Sequence, residues 1–532
     1  MASRSPASST APNVSRLPLR RLPFLLVPHI IVPQSGKLPL FLGLYYQKGG
    51  MTTLDEQILS WNPWWADPTT ITRDPHIRAL ETAPVKWAPP LLEGLPLILG
   101  DAHTVRGPRQ AGKTTLAKQL IRRLLERGES RVFYFSFDLY REPDALYDAV
   151  RRAKGLHPDP EGPWYLFLDE VTSVPQWQRG IKAAWDQGLT RDDSLLLTGS
   201  SAHDMKYGAE QLPGRRGNGA DFLHLPMSFR DFCMQVEEIP LPDETFDIEG
   251  YLEDDGRRFA RQLHLLSADL QRAFRSYLSV GGFPAAIRDY KTTPERRAQP
   301  QTVRMLWTAI AGDIASSGRD QTAAAKLLEE VAIALGDPLK WDGAAKAMGM
   351  ASSHTAREYV ERLSEAFSLL TVFFWDLSGG TLQPSKQRKV YFIDPLLGEV
   401  APLLMPGARR APEDGMVENL VATALFRSAA HALTQADPVP GAVGYWRSTN
   451  NREIDFVVPA TRRGRGGRMP IEVKGDGNSG IGHARLAIVK AFGEGIVASR
   501  TVFDPEGAVP VIPIPVLLAG LTESPRRDVA IG

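Results

Sequence analysis

Gly107, Gly112, Lys113 and Thr114 stand at the spacing G-x-x-x-x-G-K-[ST], and the chemistry those residue types support there is phosphate binding. Glycines let backbone N–H groups curl around a polyphosphate, and a helix starting at the lysine adds the positive end of its dipole. The expected binding set is Gly107, Pro108, Arg109, Gln110, Ala111, Gly112, Lys113, Thr114 and Thr115, with Lys113 on the β- and γ-phosphates and Thr114 ligating magnesium. ATP with Mg2+ is the implied pair, although this spacing does not separate ATP from GTP. A second pair, Asp169-Glu170, closes the apolar run Trp164-Tyr165-Leu166-Phe167-Leu168. Downstream of a phosphate loop, that pair suits hydrolysis: Asp169 holds magnesium, and Glu170 orients and deprotonates the attacking water. Thr198, Ser200 and Ser201 end a third apolar run, either as sensors of the γ-phosphate or as plain turn hydroxyls.

The flanking periodicities predict the elements that hold these residues. His103 to Arg106 is β-prone, and Thr115 to Ile121 repeats apolar residues at helical spacing, so the loop lies between a strand and a helix. The unalternating runs ending at Leu168 and Leu197 read as strands buried on both faces. The expected class is α/β.

An ordered series of short motifs extends this reading: Asn62-Pro63-Trp64-Trp65, the glycine loop, Leu168-Asp169-Glu170, Thr198-Gly199-Ser200-Ser201, Leu212-Pro213-Gly214-Arg215, Pro226-Met227-Ser228-Phe229 and Tyr277 to Pro284. In that order they resemble the prokaryotic AAA-type ATPases that carry a C-terminal DUF4143 region. The resemblance implies a P-loop AAA-type ATPase domain with a helical lid, and it points to Arg215 as a residue acting on the γ-phosphate. Arg216 beside it leaves the choice between the two arginines open, as does a solvated basic loop. Trp64 and Trp65 either pack on a base or dock their segment onto the core.

Further along, Ala344, Ala345 and Met348, a turn at Gly349 and a capping box from Thr355 to Glu358 give a helix-turn-helix rhythm. With strand arms at 369–376 and 389–394, it resembles a winged helix. His354, Arg357, Arg362, Lys386, Arg388 and Lys389 are the candidate phosphate contacts there, with protein docking as the alternative. At the C-terminus a helix from Gly415 with Glu418, then strands at Tyr445, at Glu453 to Val458 and at Pro470 to Lys474, resemble the core of restriction-endonuclease-like folds. That resemblance implies that Asp455 and Glu472 bind a divalent metal, Lys474 orients the water and Glu418 approaches from the helix; fold alone does not establish cutting. Arg462 to Arg468 is a basic loop that either follows a nucleic-acid backbone or forms a solvated hairpin tip.

The partition expected is 1–50 unstructured, 51–95 a cover, 96–240 the ATPase, 241–300 the lid, 301–404 winged-helix-like and 405–532 nuclease-like. Residues 1–50 hold no Asp or Glu, Pro23, Pro28 and Pro33 interrupt their apolar stretches, and Met51 is read as the start of the cellular protein. The 532-residue chain has a formal charge of +1, so any polyanion site must be local. Cys233 is its only cysteine, which excludes intrachain disulfides and cysteine-rich zinc sites and fits the cytoplasm. DNA and protein are the candidate partners, an oligomer is open, and no stretch is long enough to span a membrane.

Overall fold

A computed structural model describes residues 53–201, 205, 208–432, 443–448, 452–475 and 480–523. The reading of 1–50 therefore lies outside the described residues. Five short strands, β1 (Ala102–Arg106), β2 (Val132–Ser136), β3 (Tyr165–Asp169), β4 (Ser194–Gly199) and β5 (Asp221–Leu223), form one sheet in the order β2-β3-β4-β1-β5. Every pairing is parallel. Parallel strands need cover on both faces, which is why β1 and β4 are buried along their whole length. The order places β4 between β1, which leads into the phosphate loop, and β3, which ends in Asp169.

Strand β2 would be an open edge, and the Asn62-Pro63-Trp64-Trp65 motif covers it. The Asn62 amide imitates a neighbouring strand, donating to the Tyr134 carbonyl at 2.9 Å and accepting from the Tyr134 N–H at 2.7 Å. Trp64 and Trp65 both donate from Nε1 to the Val132 carbonyl, at 2.9 and 2.8 Å. These tryptophans dock a segment.

The ATPase core runs from Trp64 to Phe222, and a second core begins at Leu225 and continues to Leu521. The apolar packing thus divides near residue 224 rather than at 240. The helices Asp254–His264, Ser267–Val280 and Pro284–Thr292, expected as a lid, share the second core with the helix Ile514–Gly520. Backbone bonds from Phe246 N–H to the Gly520 carbonyl (3.0 Å) and from Thr522 N–H to the Phe246 carbonyl (2.9 Å) fix that contact.

The helices Trp341–Met348 and Ser353–Glu365 flank the left-handed Gly349 as expected. The cap differs from the reading: the Ser352 side chain accepts from His354 N–H, and Thr355 sits inside the first turn. Strand β6 (Leu369–Asp376) pairs antiparallel with both β7 (Thr381–Gln383) and β8 (Lys389–Phe392). It also pairs in parallel with β9 (Gly444–Arg447), which merges the hairpin with the C-terminal strands. Beyond it lie β10 (Glu453–Pro459), β11 (Arg468–Lys474), β12 (Ile496–Ser499) and β13 (Val511–Pro513), giving an eight-stranded sheet. No strand was anticipated at β12 or β13.

The basic loop is a largely exposed hairpin tip between β10 and β11, pinned by acids from neighbouring segments. Glu249 accepts backbone N–H bonds from Thr461, Arg462 and Arg463 at 3.0, 2.8 and 2.7 Å, and Arg462 pairs with Asp247 at 2.8 Å. Arg463 pairs with Glu494 at 3.1 Å, and the Arg468 guanidinium lies 4.2 Å over the Trp375 ring. Among the described residues no helix is long and apolar enough to cross a membrane.

Candidate functional site

The phosphate loop is shaped by close backbone approach. A Cβ at Gly107 would fall 1.9 Å from the His224 carbonyl, and Gly112 adopts φ +101°, so both positions require glycine. The helix Lys113–Glu126 buries Leu116, Leu120, Ile121 and Leu124 against the sheet, and no side chain caps its N-terminus. Its first N–H groups therefore stay available to an anion. Lys113 is buried and donates from Nζ to the Gly107 and Pro108 carbonyls at 3.0 and 3.1 Å. Burial lowers its pKa, and Glu170 and Asp169 oppose the shift.

The acids meet the loop. Thr114 Oγ1 donates to Asp169 Oδ2 at 2.8 Å, Tyr134 donates to the same oxygen at 2.9 Å, and Thr198 donates to Oδ1. Of the three hydroxyls considered on the third run, Thr198 is the one tied to both acids, because its Oγ1 also accepts the Glu170 N–H at 3.1 Å. Tyr134 escaped the sequence reading, since nothing local marks a β2 tyrosine as a partner of a β3 acid. Glu170 sits at φ +52°, a left-handed conformation costing roughly 1–3 kcal/mol in a non-glycine residue. Its Oε2 is buried with no hydrogen-bond partner among the described residues.

Loop and Glu170 open into a cavity of about 550 Å³ that also touches His76, Trp87, His224 and Arg288. Trp87 stacks on His224 with centroids 5.3 Å apart, and His224 Nε2 lies 3.0 Å from the Ala111 carbonyl. Burial, with Lys113 nearby, pulls the His224 pKa down to about 3, so the ring is neutral and donates that bond. The aromatic lining comes from Trp87, not from Trp64 or Trp65. Arg109 leaves the loop sideways, donating to Asp313 on the helix Pro300–Ser316 at 2.9 Å.

The two candidate arginines lie elsewhere. Arg215 forks onto Asp186 at 2.7 and 3.2 Å, and Arg216 donates to the Ala102 carbonyl at 3.1 Å and to Asp221 at 2.8 Å. Ala102 opens β1, so Arg216 stands at the end of the sheet away from Gly107.

The C-terminal acids also converge. Asp455 N–H donates to Glu472 Oε2 at 3.3 Å, and Asp455 Oδ2 accepts from Val473 N–H at 2.8 Å. Lys474 Nζ pairs with Glu472 at 2.6 Å, and Tyr391 donates to Glu418 at 2.6 Å. Burial and then the Asp455 carboxylate push Glu472 up to about 7, and the same two causes raise Glu418. Lys389, expected at a DNA surface, is 0% exposed and stands inside this cluster, 2.7 Å from Glu453, 3.2 Å from Glu418 and 3.4 Å from Asp455. Arg388 and Arg362 are paired too, with Glu361 at 3.0 Å and Glu365 at 3.4 Å, while Arg357 lies 5.3 Å over Trp341. His354 pairs with Glu358, and Lys386 is exposed. Among the described residues, no group of three or more His, Cys, Asp or Glu is arranged to hold a metal ion.

Residues 100–233 match the AAA domain family, 271–401 a domain of unknown function, DUF8612, and 413–514 another, DUF4143. Comparison with curated proteins returned no match. Among solved structures, the chain is similar to the Aeropyrum pernix ORC1 protein in complex with DNA at 14% identity, over 67% of this chain and 95% of that one, with a TM-score of 0.27. It is similar to a point variant of Thermotoga maritima RuvB at 14% identity over 57% and 88% (TM-score 0.24), and to CDC6P from Pyrobaculum aerophilum at 14% over 58% and 88% (TM-score 0.20).

Proposed function

We propose that this ATP-binding AAA-type protein with a C-terminal DUF4143 domain hydrolyses ATP with magnesium at the loop Gly107 to Thr115, and that the cycle acts on its C-terminal half. The observation that carries the reading is Glu170, half-buried at the cavity of the phosphate loop with one carboxylate oxygen buried and unpartnered among the described residues. The residues fit magnesium: Thr114 and Asp169 already share a hydrogen bond and would hold the ion between them. When bound, the ion supplies charge neutralisation at the β- and γ-phosphates.

Lys113 exchanges its two loop carbonyls for phosphate oxygens. Thr198 fixes the Glu170 backbone, so the carboxylate is aimed before substrate arrives, and Glu170 takes the proton of the attacking water. Trp87 and His224 supply a flat wall for the base, while Arg109 ties the loop to Asp313 and so to the second core. Arg215, paired with Asp186 away from its own loop, would serve the γ-phosphate of a neighbouring copy in an oligomer. The reducing cytoplasm suits the single buried thiol.

The C-terminal half is read as a winged-helix hairpin fused to a restriction-endonuclease-like core that receives the stroke. It acts as a nucleotide-switched binding module for DNA or protein. With most candidate DNA-facing cations held in internal pairs or over rings, protein docking is the favoured use. The test is phosphate release by Glu170→Gln: the amide still orients water but cannot accept its proton, so turnover falls by about 100-fold or more while ATP binding persists. Turnover equal to the unmodified protein removes Glu170 from the mechanism.

A further inference from the structure

A divalent metal is what the acid and E-x-K pattern implies at the C-terminus, and the surrounding residues do not fit one. Asp455 and Glu472 are adjacent across β10 and β11, as such a site requires. Yet a cation already stands against the acids. Lys389 projects from β8, and its ammonium contacts Glu418, Glu453 and Asp455 within 3.4 Å while wholly shielded from solvent. Glu472 is held by Lys474, and Glu453 is shared with Arg447 at 2.8 Å. Four carboxylates thus face three fixed cations, and adding a doubly charged ion would place it beside an ammonium that cannot reach water.

We propose that Lys389 substitutes for the metal ion, so that the C-terminal domain keeps a nuclease-like fold but neither binds divalent cations nor cleaves DNA. The ammonium does different work. Lys389 belongs to the segment 271–401, and the carboxylates it gathers belong to 413–514. The cluster is a charged tie between those segments, at the place where β6 pairs with β9.

This inference rests on the restriction-endonuclease-like reading, and the experiment separates the two. Mn2+ is titrated into the full chain without nucleotide, with thermal unfolding and nicking of supercoiled plasmid DNA as readouts, for the unmodified protein, Asp455→Asn, Lys389→Met and the double variant. The expected result is no Mn2+ effect and no cutting in the unmodified protein. Lys389→Met should melt lower and regain several degrees with millimolar Mn2+, and the double variant should not. A rise in melting temperature, or cutting, in the unmodified protein that Asp455→Asn abolishes overturns the substitution outright, whether or not Lys389→Met folds. A folded Lys389→Met that ignores Mn2+, beside a silent unmodified protein, overturns it through the fold reading instead.

Discussion

The nucleotide site and the C-terminal acid cluster are made of the same parts. Each sets carboxylates beside a buried lysine, Asp169 and Glu170 with Lys113 in one, Glu418, Glu453 and Asp455 with Lys389 in the other. They differ in where the lysine goes. Lys113 rests on two neutral carbonyls of its own loop, and Glu170 keeps an oxygen without a partner. Lys389 rests on the acids themselves. An unpartnered buried group is costly, and a fold retains it where a ligand will complete it; a self-completed cluster has no such opening and serves cohesion.

Replacing each lysine should therefore do opposite things. Lys389→Met takes the buried ammonium from Glu418 and Asp455 and leaves Glu453 to Arg447 alone, and breaking a buried pair in this way costs about 3–5 kcal/mol, read as a drop in chemical-denaturant stability, with ATP affinity unchanged. Lys113→Ala should weaken ATP binding by about 100-fold, equivalent to roughly 2.7 kcal/mol, with the melting temperature moving by less than about 4 °C. If Lys113→Ala unfolds the protein and Lys389→Met spares it, the contrast is wrong.

Titration offers a gentler probe. His224 has its pKa depressed by burial to about 3, so stability from this group grows as pH rises from 3 through the unfolded value near 6.5. Asp394, buried where it accepts the Gly282 and Leu396 N–H groups, is raised by burial to about 6, and Glu523 by burial to about 7. Their contribution is full below the unfolded carboxylate values near 4 and is lost as pH rises through 6 to 7. Hydrogen exchange, corrected for intrinsic rates, should show protection around His224 rising between pH 5 and 7 while that around Asp394 and Glu523 falls; parallel changes would remove the distinction. The smallest effect is expected at the surface: Arg462→Ala, already paired with Asp247, should change DNA affinity less than about twofold at 0.15 M salt. A larger, salt-dependent loss would return the 462–468 loop to nucleic-acid contact.

How much was legible follows from locality. The loop Gly107 to Thr114 declares itself because its parts are consecutive, and Asp169-Glu170 because an apolar strand ends there. The wall made by Trp87 and His224 joins segments far apart in the chain, and no spacing rule connects them. Lys389 misled for the same reason. Beside Lys386 and Arg388 it looks like a basic surface, and only the pairing of β8 on β6, with β6 on β9, turns it inward toward a carboxylate 66 positions away. Ser352 took the cap from Thr355 because the helix begins three residues earlier than the apolar pattern shows.

Strand β6 has one consequence for handling the molecule. Leu369 to Asp376 spends one edge on β8 and β7 and the other, at Phe373 and Phe374, on β9. A chain cut between 404 and 413 would leave the first piece with a bare, aromatic edge and the second with β9 lacking its neighbour. Exposed edges of that kind recruit strands from other molecules. Fragments divided at that point should precipitate when made apart and recover solubility when produced together, so the two halves of this sheet are best treated as one unit of expression.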